Sequence, residues 1–243
     1  MKKLSLAILS FAIPLAAASN DSLLGVTLVQ TKGGPSLSVP MQIVLLLSVL
    51  TLLPAIVMCV TPFLRVVVVL HFLRQALGTQ TAPSNQVLVG LALFLALLIM
   101  QPVTTQVYHQ AWQPMEAGQI TAGEAWDRAS EPIHGFLLKF AREKDISLFL
   151  ELSHAPAPAK PADVPMTALV PAYILSELKA AFQIGAVLFL PFLIIDLVVA
   201  SVTLSVGMVQ LPPVMVSAPF KILLFVLVDG WNLVVGSLVR SFY

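Results

Sequence analysis

Charged side chains lie inside the most apolar stretches of this chain, where they need a chemical explanation. Asp196, Lys221 and Asp229 interrupt the second apolar block, and Arg65 and Arg74 interrupt the first. At the centre of a lipid-facing helix, each charge would cost roughly 2.5–3.5 kcal/mol. A single protein in lipid rarely tolerates so many. We therefore expect these helices to face protein or water, as in an assembly of several chains that builds a pore.

Three interpretations of these charges follow from their types and positions. Asp196 and Asp229 could form the shared-proton pair of an intramembrane aspartyl protease, although the Tyr-Asp and Gly-x-Gly-Asp sequences of such enzymes do not flank them. Glu177 and the two aspartates could instead couple ion movement in a secondary transporter. The favoured interpretation is that acids and bases pair across helix or subunit interfaces and so set their register. The candidates for this buried pairing are Arg65, Arg74, Glu177, Lys179, Asp196, Lys221 and Asp229.

The composition is that of a membrane protein and excludes several other classes. Of 243 residues, 58% are hydrophobic and 10% are charged, against about 25% charged in soluble domains. A net charge of +1 without a basic cluster argues against a nucleic-acid partner. Cys59 is the single cysteine, and the four histidines lack ligand spacing, so we predict no metal and no cofactor. Nucleotide-binding and zinc-protease motifs are also missing, so the chain has no known loop for nucleotide binding or ATP hydrolysis.

The N-terminus has the pattern of a cleavable signal peptide. Lys2 and Lys3 precede a short apolar core, and three alanines at 16–18 supply a cleavage site before Ser19. The alternative, an uncleaved membrane helix, would have only about twelve apolar residues interrupted by Pro14, where a span needs about 20. We therefore predict that the mature chain begins outside the cytoplasm.

The remaining chain is predicted to be all-α, with two apolar helical hairpins. Arg65 and Arg74 lie near the polar tip of the first hairpin, and the positive-inside rule places that tip towards the cytoplasm. Between the hairpins, Thr121 and Glu124 fit a helix capping box. Ser130 followed by Pro132 fits the start of another helix. An apolar helix face follows at Ile133, Phe136, Leu137 and Phe140. The predicted division is a signal peptide at 1–18, a periplasmic N-terminal segment at 19–40, a first hairpin at 41–108, a periplasmic helical segment with a Pro-rich linker at 109–165, and a second hairpin at 166–243.

Long motifs in both hairpins make the chain resemble the FliP family (FliP/SctR) of type III secretion export gates. The first hairpin carries FLRQALGTQ at 72–80 and PSNQVLVGLALFL at 83–95. The second carries AYILSELK at 172–179, FQIG at 182–185, LPF at 190–192, LPP at 211–213, PFK at 219–221 and VDGW at 228–231. The resemblance covers roughly residues 41–108 and 166–240, and the cleavable signal peptide fits the flagellar branch of the family.

The resemblance implies membrane-associated helical hairpins that assemble into a helical oligomeric channel. In that family five copies form a right-handed staircase with FliQ-like and FliR-like partners, beside further export-apparatus membrane proteins. Unfolded flagellar proteins are the cargo, and other subunits supply the energy. The resemblance therefore implies no catalytic residues and no enzyme activity. The expected location is the bacterial inner (cell) membrane at the flagellar basal body. Much of the family protein is lifted above the membrane plane, which agrees with charges in apolar helices.

Met208 is the candidate for a channel constriction. Methionine is flexible and polarizable, so a ring of such side chains can seal a pore and still deform around cargo. The resemblance implies several consecutive methionines at the tip of the second hairpin, whereas this chain has only Met208, followed by Val209 and Gln210. A FliR-like partner is therefore expected to supply part of the seal. The alternative is that Met208 is an ordinary turn residue at the membrane interface.

Overall fold

The computed structural model describes residues 29–31, 34–36, 39–79, 81–156, 158–207 and 212–243. The chain divides into two compact units, Met1–Leu53 and Pro54–Tyr243. The predicted signal peptide at 1–18 lies outside the described residues. In the first unit, strand β1 (Val29–Thr31) pairs antiparallel with β2 (Gly34–Ser36). Helix α1 (Val39–Val60) follows and ends in the second unit.

The second unit is helical, which confirms the predicted all-α class apart from the short strands of the first unit. Its helices are α2 (Phe63–Ala76), α3 (Asn85–Val107), α4 (Gln113–Glu116), α5 (Ala122–Phe140), α6 (Glu143–Leu152), α7 (Met166–Ser205), α8 (Pro213–Leu227) and α9 (Gly230–Arg240). A π-helical turn, Tyr108–Trp112, joins α3 to α4, and a 3-10 turn, Pro161–Asp163, precedes α7.

Helix α7 is the element around which the second unit is built. Its 40 residues extend for about 60 Å, and α2, α5, α6 and α8 all pack against it. Its most extensive contact is with α2. There the centroid of the Phe72 ring lies 5.3 Å from that of Phe182 and 6.1 Å from that of Phe189. A Cβ atom added to Gly185 would lie 2.5 Å from the Phe72 ring. Only glycine therefore permits this contact between α2 and α7.

Two apolar clusters form the core of the second unit. The larger lies between α2 and α3 and includes residues from α7, α8 and α9. The smaller joins the N-terminal part of α7 to α5 and α6 through Leu137, Ile146 and Leu169. Ile133, Phe136 and Phe140 pack against these clusters, so the predicted apolar face of α5 is confirmed.

In the segment between the hairpins, helix α5 begins as predicted but extends further than predicted. Thr121 and Glu124 form the predicted capping box, and hydrogen bonds from Thr121 hold the pKa of the exposed Glu124 carboxyl below its usual range. Pro132, predicted to begin a second helix, lies inside α5 instead. Proline removes one N–H from the helical ladder, and packing of the flanking turns holds α5 together at this point.

Among the residues that the structure describes, three helical segments are long and apolar enough to cross a membrane: Pro40–Val60, Asn85–Glu116 and Met166–Ser205. Helices α8 and α9 pass the same test as a pair, but they are bent by 66° at the break between them. Asp229 lies at this break with φ of 52°, in the left-handed region that a non-glycine residue adopts at a cost. The last apolar run of the sequence is therefore two helices.

Candidate functional site

Arg65 and Glu177 form an ion pair in the interior of the second unit. Arg65 lies on α2 and Glu177 on α7, and their side chains are 7% and 0% exposed. The Arg65 Nε atom donates to Glu177 Oε2 at 2.8 Å, and Nη2 donates to Oε1, so the guanidinium holds both carboxylate oxygens. This bidentate geometry is the strongest form of such a pair. It fixes the register of α2 against α7 at one point.

Residues near the C-terminus complete the surroundings of Arg65. Its Nη1 atom donates to Ser241 Oγ at 3.1 Å. The guanidinium also lies over the Phe242 ring at 3.9 Å and near the Phe140 ring at 5.7 Å. Arginine is weakly hydrated and stacks on aromatic rings, so it suits this buried position. We call these five residues the Arg65 cluster; it ties α2, α5, α7 and the segment after α9 together.

Lys221 and Asp196 form a second pair, between α8 and α7. Lys221 Nζ donates to Asp196 Oδ2 at 2.6 Å, and Ser217 Oγ donates to Asp196 Oδ1 at 2.5 Å. Lys221 Nζ also donates to the carbonyl oxygen of Ala76 at 3.1 Å, at the C-terminal end of α2. A cation at that end of a helix satisfies a carbonyl that has no partner within the helix. We call these four residues the Lys221 cluster.

The two partners of this second pair differ in exposure. The Lys221 side chain is 4% exposed, whereas the Asp196 side chain is 27% exposed. Asp196 would therefore keep water and Ser217 if the lysine were removed. Lys221 would keep only one backbone carbonyl if the aspartate were removed. The charges of both clusters are thus satisfied within one chain, which explains how apolar helices can carry them.

Arg74 binds the turn between α2 and α3 and forms no ion pair within the described residues. Its Nη1 atom donates to Asn85 Oδ1 at 2.7 Å and to the Pro83 carbonyl oxygen at 3.3 Å. Arg74 therefore stabilises the turn at the tip of the first hairpin through these hydrogen bonds. Gly78, in the same turn, has φ of 74°, and a Cβ atom added to it would lie 3.6 Å from Ala218 on α8.

Lys179 and Asp229 are both exposed in this chain. Neither side chain forms an ion pair or a hydrogen bond with another residue that the structure describes. Lys179 lies on the outer face of α7, and Asp229 sits at the exposed break before α9. The expected pairing of these two residues across a helix or subunit interface therefore stays a prediction.

A third polar cluster joins α6 to α7, and the sequence analysis missed it. Asp145, 5% exposed, accepts from Ser176 Oγ at 2.5 Å and from Arg142 Nε at 2.9 Å. Ser176 Oγ in turn accepts from the backbone N–H of Arg142 at 2.9 Å. The three-residue spacing of Arg142 and Asp145 was a local signal for their pairing. Nothing local indicated Ser176, which is 31 residues from Asp145.

The protease and metal-binding possibilities can be compared with this geometry. Both Asp196 oxygens are bound, one by Lys221 and one by Ser217, and Asp229 forms no hydrogen bond with Asp196. The two aspartates thus do not form the shared-proton pair of an aspartyl protease. Across the described residues, no group of three or more His, Cys, Asp or Glu side chains is placed to hold a metal ion.

The candidate constriction residue, Met208, lies outside the described residues. The structure describes α7 and its final turn to Gly207 and begins again at residue 212. Gly207 has φ of 80°, the left-handed backbone that glycine adopts freely where a helix ends. The proposed role of Met208 therefore stays a prediction.

Comparison with known proteins gives consistent matches across the hairpins. Residues 46–238 match the FliP family model. A flagellar biosynthetic protein FliP of Pectobacterium carotovorum subsp. carotovorum is 51% identical over 211 residues, which cover 87% of this chain and 82% of the relative. One from Bacillus subtilis (strain 168) is 50% identical over 207 residues, covering 85% of this chain and 94% of the relative. One from Caulobacter vibrioides is 47% identical over 237 residues, covering 98% of this chain and 88% of the relative.

Proposed function

The chain belongs to the FliP family, and we propose that it is a core subunit of the flagellar type III protein export gate. In this role it forms, with copies of itself and partner membrane proteins, the channel through which unfolded flagellar proteins leave the cell. It works as a structural subunit and not as an enzyme. The observation that carries this proposal is the family match over 46–238, which covers most of both apolar hairpins and all four residues of the Arg65–Glu177 and Asp196–Lys221 ion pairs.

The helices expose a large apolar surface that other chains can cover. In the most apolar stretch of Pro40–Val60 none of the residues is buried, and in that of Met166–Ser205 only 11% are buried. Large apolar side chains such as Phe94, Val187 and Leu227 are exposed along α3, α7 and α8. Exposed apolar surface of this extent is covered by lipid or by other proteins. Because the charges pair internally, the outer faces of these helices remain free to pack against further chains.

We propose five copies of the chain per gate, together with FliQ-like and FliR-like proteins, as the family resemblance implies. The proposed location is the inner membrane at the flagellar basal body, with the segment 109–165 on the periplasmic side. The proposed signal peptide at 1–18 agrees with an N-terminus outside the cytoplasm. Met208 of each copy is proposed to line the constriction, with a FliR-like partner completing the seal.

The buried charges are proposed to act in folding and assembly. The Arg65 cluster and the Lys221 cluster join helices that are far apart in sequence, so they hold the two hairpins in one register. Lys179 and Asp229, exposed on the isolated chain, are proposed to meet neighbouring subunits. The alternative of ion coupling by Glu177 or Asp196 predicts variants that assemble normally and fail to export.

The experiment that tests the proposed function is deletion and complementation in the source bacterium. A strain without this chain is expected to stop exporting flagellar proteins into the medium while its other membrane proteins remain present. The plasmid-borne chain should restore export. Normal flagellar export by the deletion strain would overturn the proposal.

A further inference from the structure

A groove that is open to the surface runs between α7 and α9. Its volume is about 470 Å³. On α9 it extends from Leu233 to Ser241, which is about 12 Å along the helix. The residues of its floor are apolar and partly or fully buried: Ile184, Leu188, Val234 and Leu238. We call this feature the α7–α9 groove.

The α7–α9 groove is narrower than a protein helix. Spread over about 12 Å, its volume corresponds to a cross-section of about 40 Å². A helix with a diameter of about 10 Å has a cross-section of about 80 Å². The groove therefore suits an extended hydrocarbon chain, which is thinner than a helix and as apolar as the floor.

Polar side chains lie at one end of the α7–α9 groove. Arg65 contacts both Glu177 and Ser241, so the end of α9 lies beside the part of α7 that precedes Gln183. Gln183 and Ser237 therefore line the same end of the groove. Both are exposed, and neither side chain forms a hydrogen bond with another residue that the structure describes. Two groups that can donate to an anion are thus free at this end.

Two unpaired cations flank the same end of the groove. Lys179 lies four residues before Gln183, about 40° round α7. Arg240 lies three residues after Ser237, about 60° round α9. Both cations are exposed, and neither side chain forms an ion pair or a hydrogen bond within the described part of the chain. Positive charge therefore lies on both sides of the polar end.

The acids near this end do not neutralise the two cations. Glu177 is held by Arg65 on a different face of α7. Helix α6 begins beside Ser176 of α7, and the start of α6 adds no net charge. It has two bases and two acids: Arg142, Lys144, Glu143 and Asp145. On α9, no acid follows Asp229, which lies at the far end of the helix. The polar end of the groove therefore favours an anion.

We propose that the α7–α9 groove binds an anionic phospholipid, with a hydrocarbon chain along its floor and the phosphate between Lys179 and Arg240. Basic groups beside membrane helices attract anionic headgroups, and arginine forms paired hydrogen bonds with phosphate. Gln183 and Ser237 donate to the remaining oxygens of the headgroup. The inference goes beyond the export function, and it makes the lipid phosphate the group through which Lys179 meets its neighbours in the assembly.

Lipid binding by the purified complex tests this proposal. The complex is stripped of lipid in detergent and titrated with phosphatidylglycerol or with phosphatidylcholine of the same chain length, and native mass spectrometry counts the bound molecules. Phosphatidylglycerol is expected to bind about tenfold more tightly, because phosphatidylcholine carries no net charge. Inorganic phosphate at the same concentration is expected not to displace the lipid, since it has no hydrocarbon chain. Displacement by phosphate would show an adventitious ion only and would overturn the proposal.

Substitutions at the surface separate the headgroup contact from the chain contact. Lys179→Gln and Arg240→Gln should each weaken phosphatidylglycerol binding about fivefold, and the double variant about 30-fold. Phosphatidylcholine binding should not change in these variants. Ser237→Phe fills the groove from its exposed rim and should weaken the binding of both lipids. The matched control, Arg128→Gln with Lys144→Gln, removes two exposed charges from α5 and α6 and should leave both affinities unchanged.

Three results would contradict the lipid site. Equal affinity for the two lipids would show that the cations select no headgroup. Phosphatidylglycerol binding that survives the Lys179→Gln, Arg240→Gln double variant would place the lipid elsewhere. The absence of bound lipid in the assembled complex would show that another protein covers the groove.

The same experiments distinguish this inference from the proposed function. If the complex contains several copies and exports protein but holds no lipid in the groove, the lipid site is wrong and the export gate stands. If the chain purifies without partners and its deletion leaves export intact, the export gate is wrong. The lipid site would then still stand if phosphatidylglycerol binding to the purified chain depends on Lys179 and Arg240.

Discussion

Replacing both partners of the Arg65–Glu177 pair should cost far less stability than replacing either one. Arg65→Met leaves a carboxylate that is 0% exposed and has no other hydrogen-bond partner among the described residues. Breaking a buried pair in this way costs about 3–5 kcal/mol. Glu177→Leu leaves the guanidinium with Ser241 and the Phe242 ring, so its cost should lie at the lower end of that range.

The double variant, Arg65→Met with Glu177→Leu, removes both charges and keeps similar volumes. Replacing a whole buried pair by apolar residues is often neutral or stabilising, so we expect a free energy of unfolding within about 1 kcal/mol of the original chain. With single losses of about 3 kcal/mol or more each, the interaction energy from the double-mutant cycle should then be roughly 5 kcal/mol or more. Lys179→Ala, on the exposed face of the same helix, should stay within about 0.5 kcal/mol.

The assay is denaturant unfolding of the purified chain in detergent, combined with the amount of assembled complex in membranes. Both single variants should accumulate less complex, and the double variant should recover it. Losses that simply add in the double variant would refute the argument that the pair is structural. A double variant that assembles fully and fails to export would instead assign the charges a role in transport.

Two further predictions are tested by the free energy of unfolding, and a third by ion conductance. Asp196→Ala should destabilise more than Lys221→Ala, because it leaves a buried ammonium with one carbonyl partner; equal losses would contradict this asymmetry. Gly185→Ala should cost about 1–3 kcal/mol by forcing the phenylalanine ring of α2 away, whereas Gly236→Ala, whose added Cβ meets nothing within 4 Å, should gain up to about 1 kcal/mol. Met208→Ala should leave assembly intact and raise ion conductance through membranes that contain the complex; unchanged conductance would favour the interpretation of an ordinary turn.

The helices and their apolar faces could be predicted because their signals are local. The capping box at Thr121 and Glu124 depends on residues three apart, and the apolar face of α5 repeats every three to four residues. Pro132 shows the limit of such reasoning. The same residue suits a helix start, but tertiary packing against α7 decides that α5 continues through it.

From the sequence, Glu177 or Asp196 could be predicted to lie near Arg65, Arg74 or Lys221, whereas which acid meets which base could not. The cost of an isolated charge in an apolar helix indicated that Arg65, Glu177, Asp196 and Lys221 would find partners. Arg65 and Glu177, however, are 112 residues apart, so only the fold selects one acid from several. The same holds for the serine that binds Asp196, since a serine in an apolar helix gives no sequence signal of its own.

Exposure was the hardest property to predict for single residues. Asp229 lies in an apolar run, but the chain breaks there in a left-handed conformation and leaves its side chain on the surface. Lys179 follows Glu177 by two residues, a spacing that turns it about 200° away from the buried face of α7. Once the fold shows which face of α7 is buried, helical geometry separates the buried Glu177 from the exposed Lys179.

The most direct test of the export-gate proposal is the mass and composition of the complex extracted in mild detergent. Native mass spectrometry of the tagged chain is expected to give a large assembly with several copies of the chain and two kinds of small membrane partner. Its mass should fall when the Arg65–Glu177 pair is broken by a single substitution. A monomer or dimer without partners would contradict the proposed gate and favour a transporter that works alone.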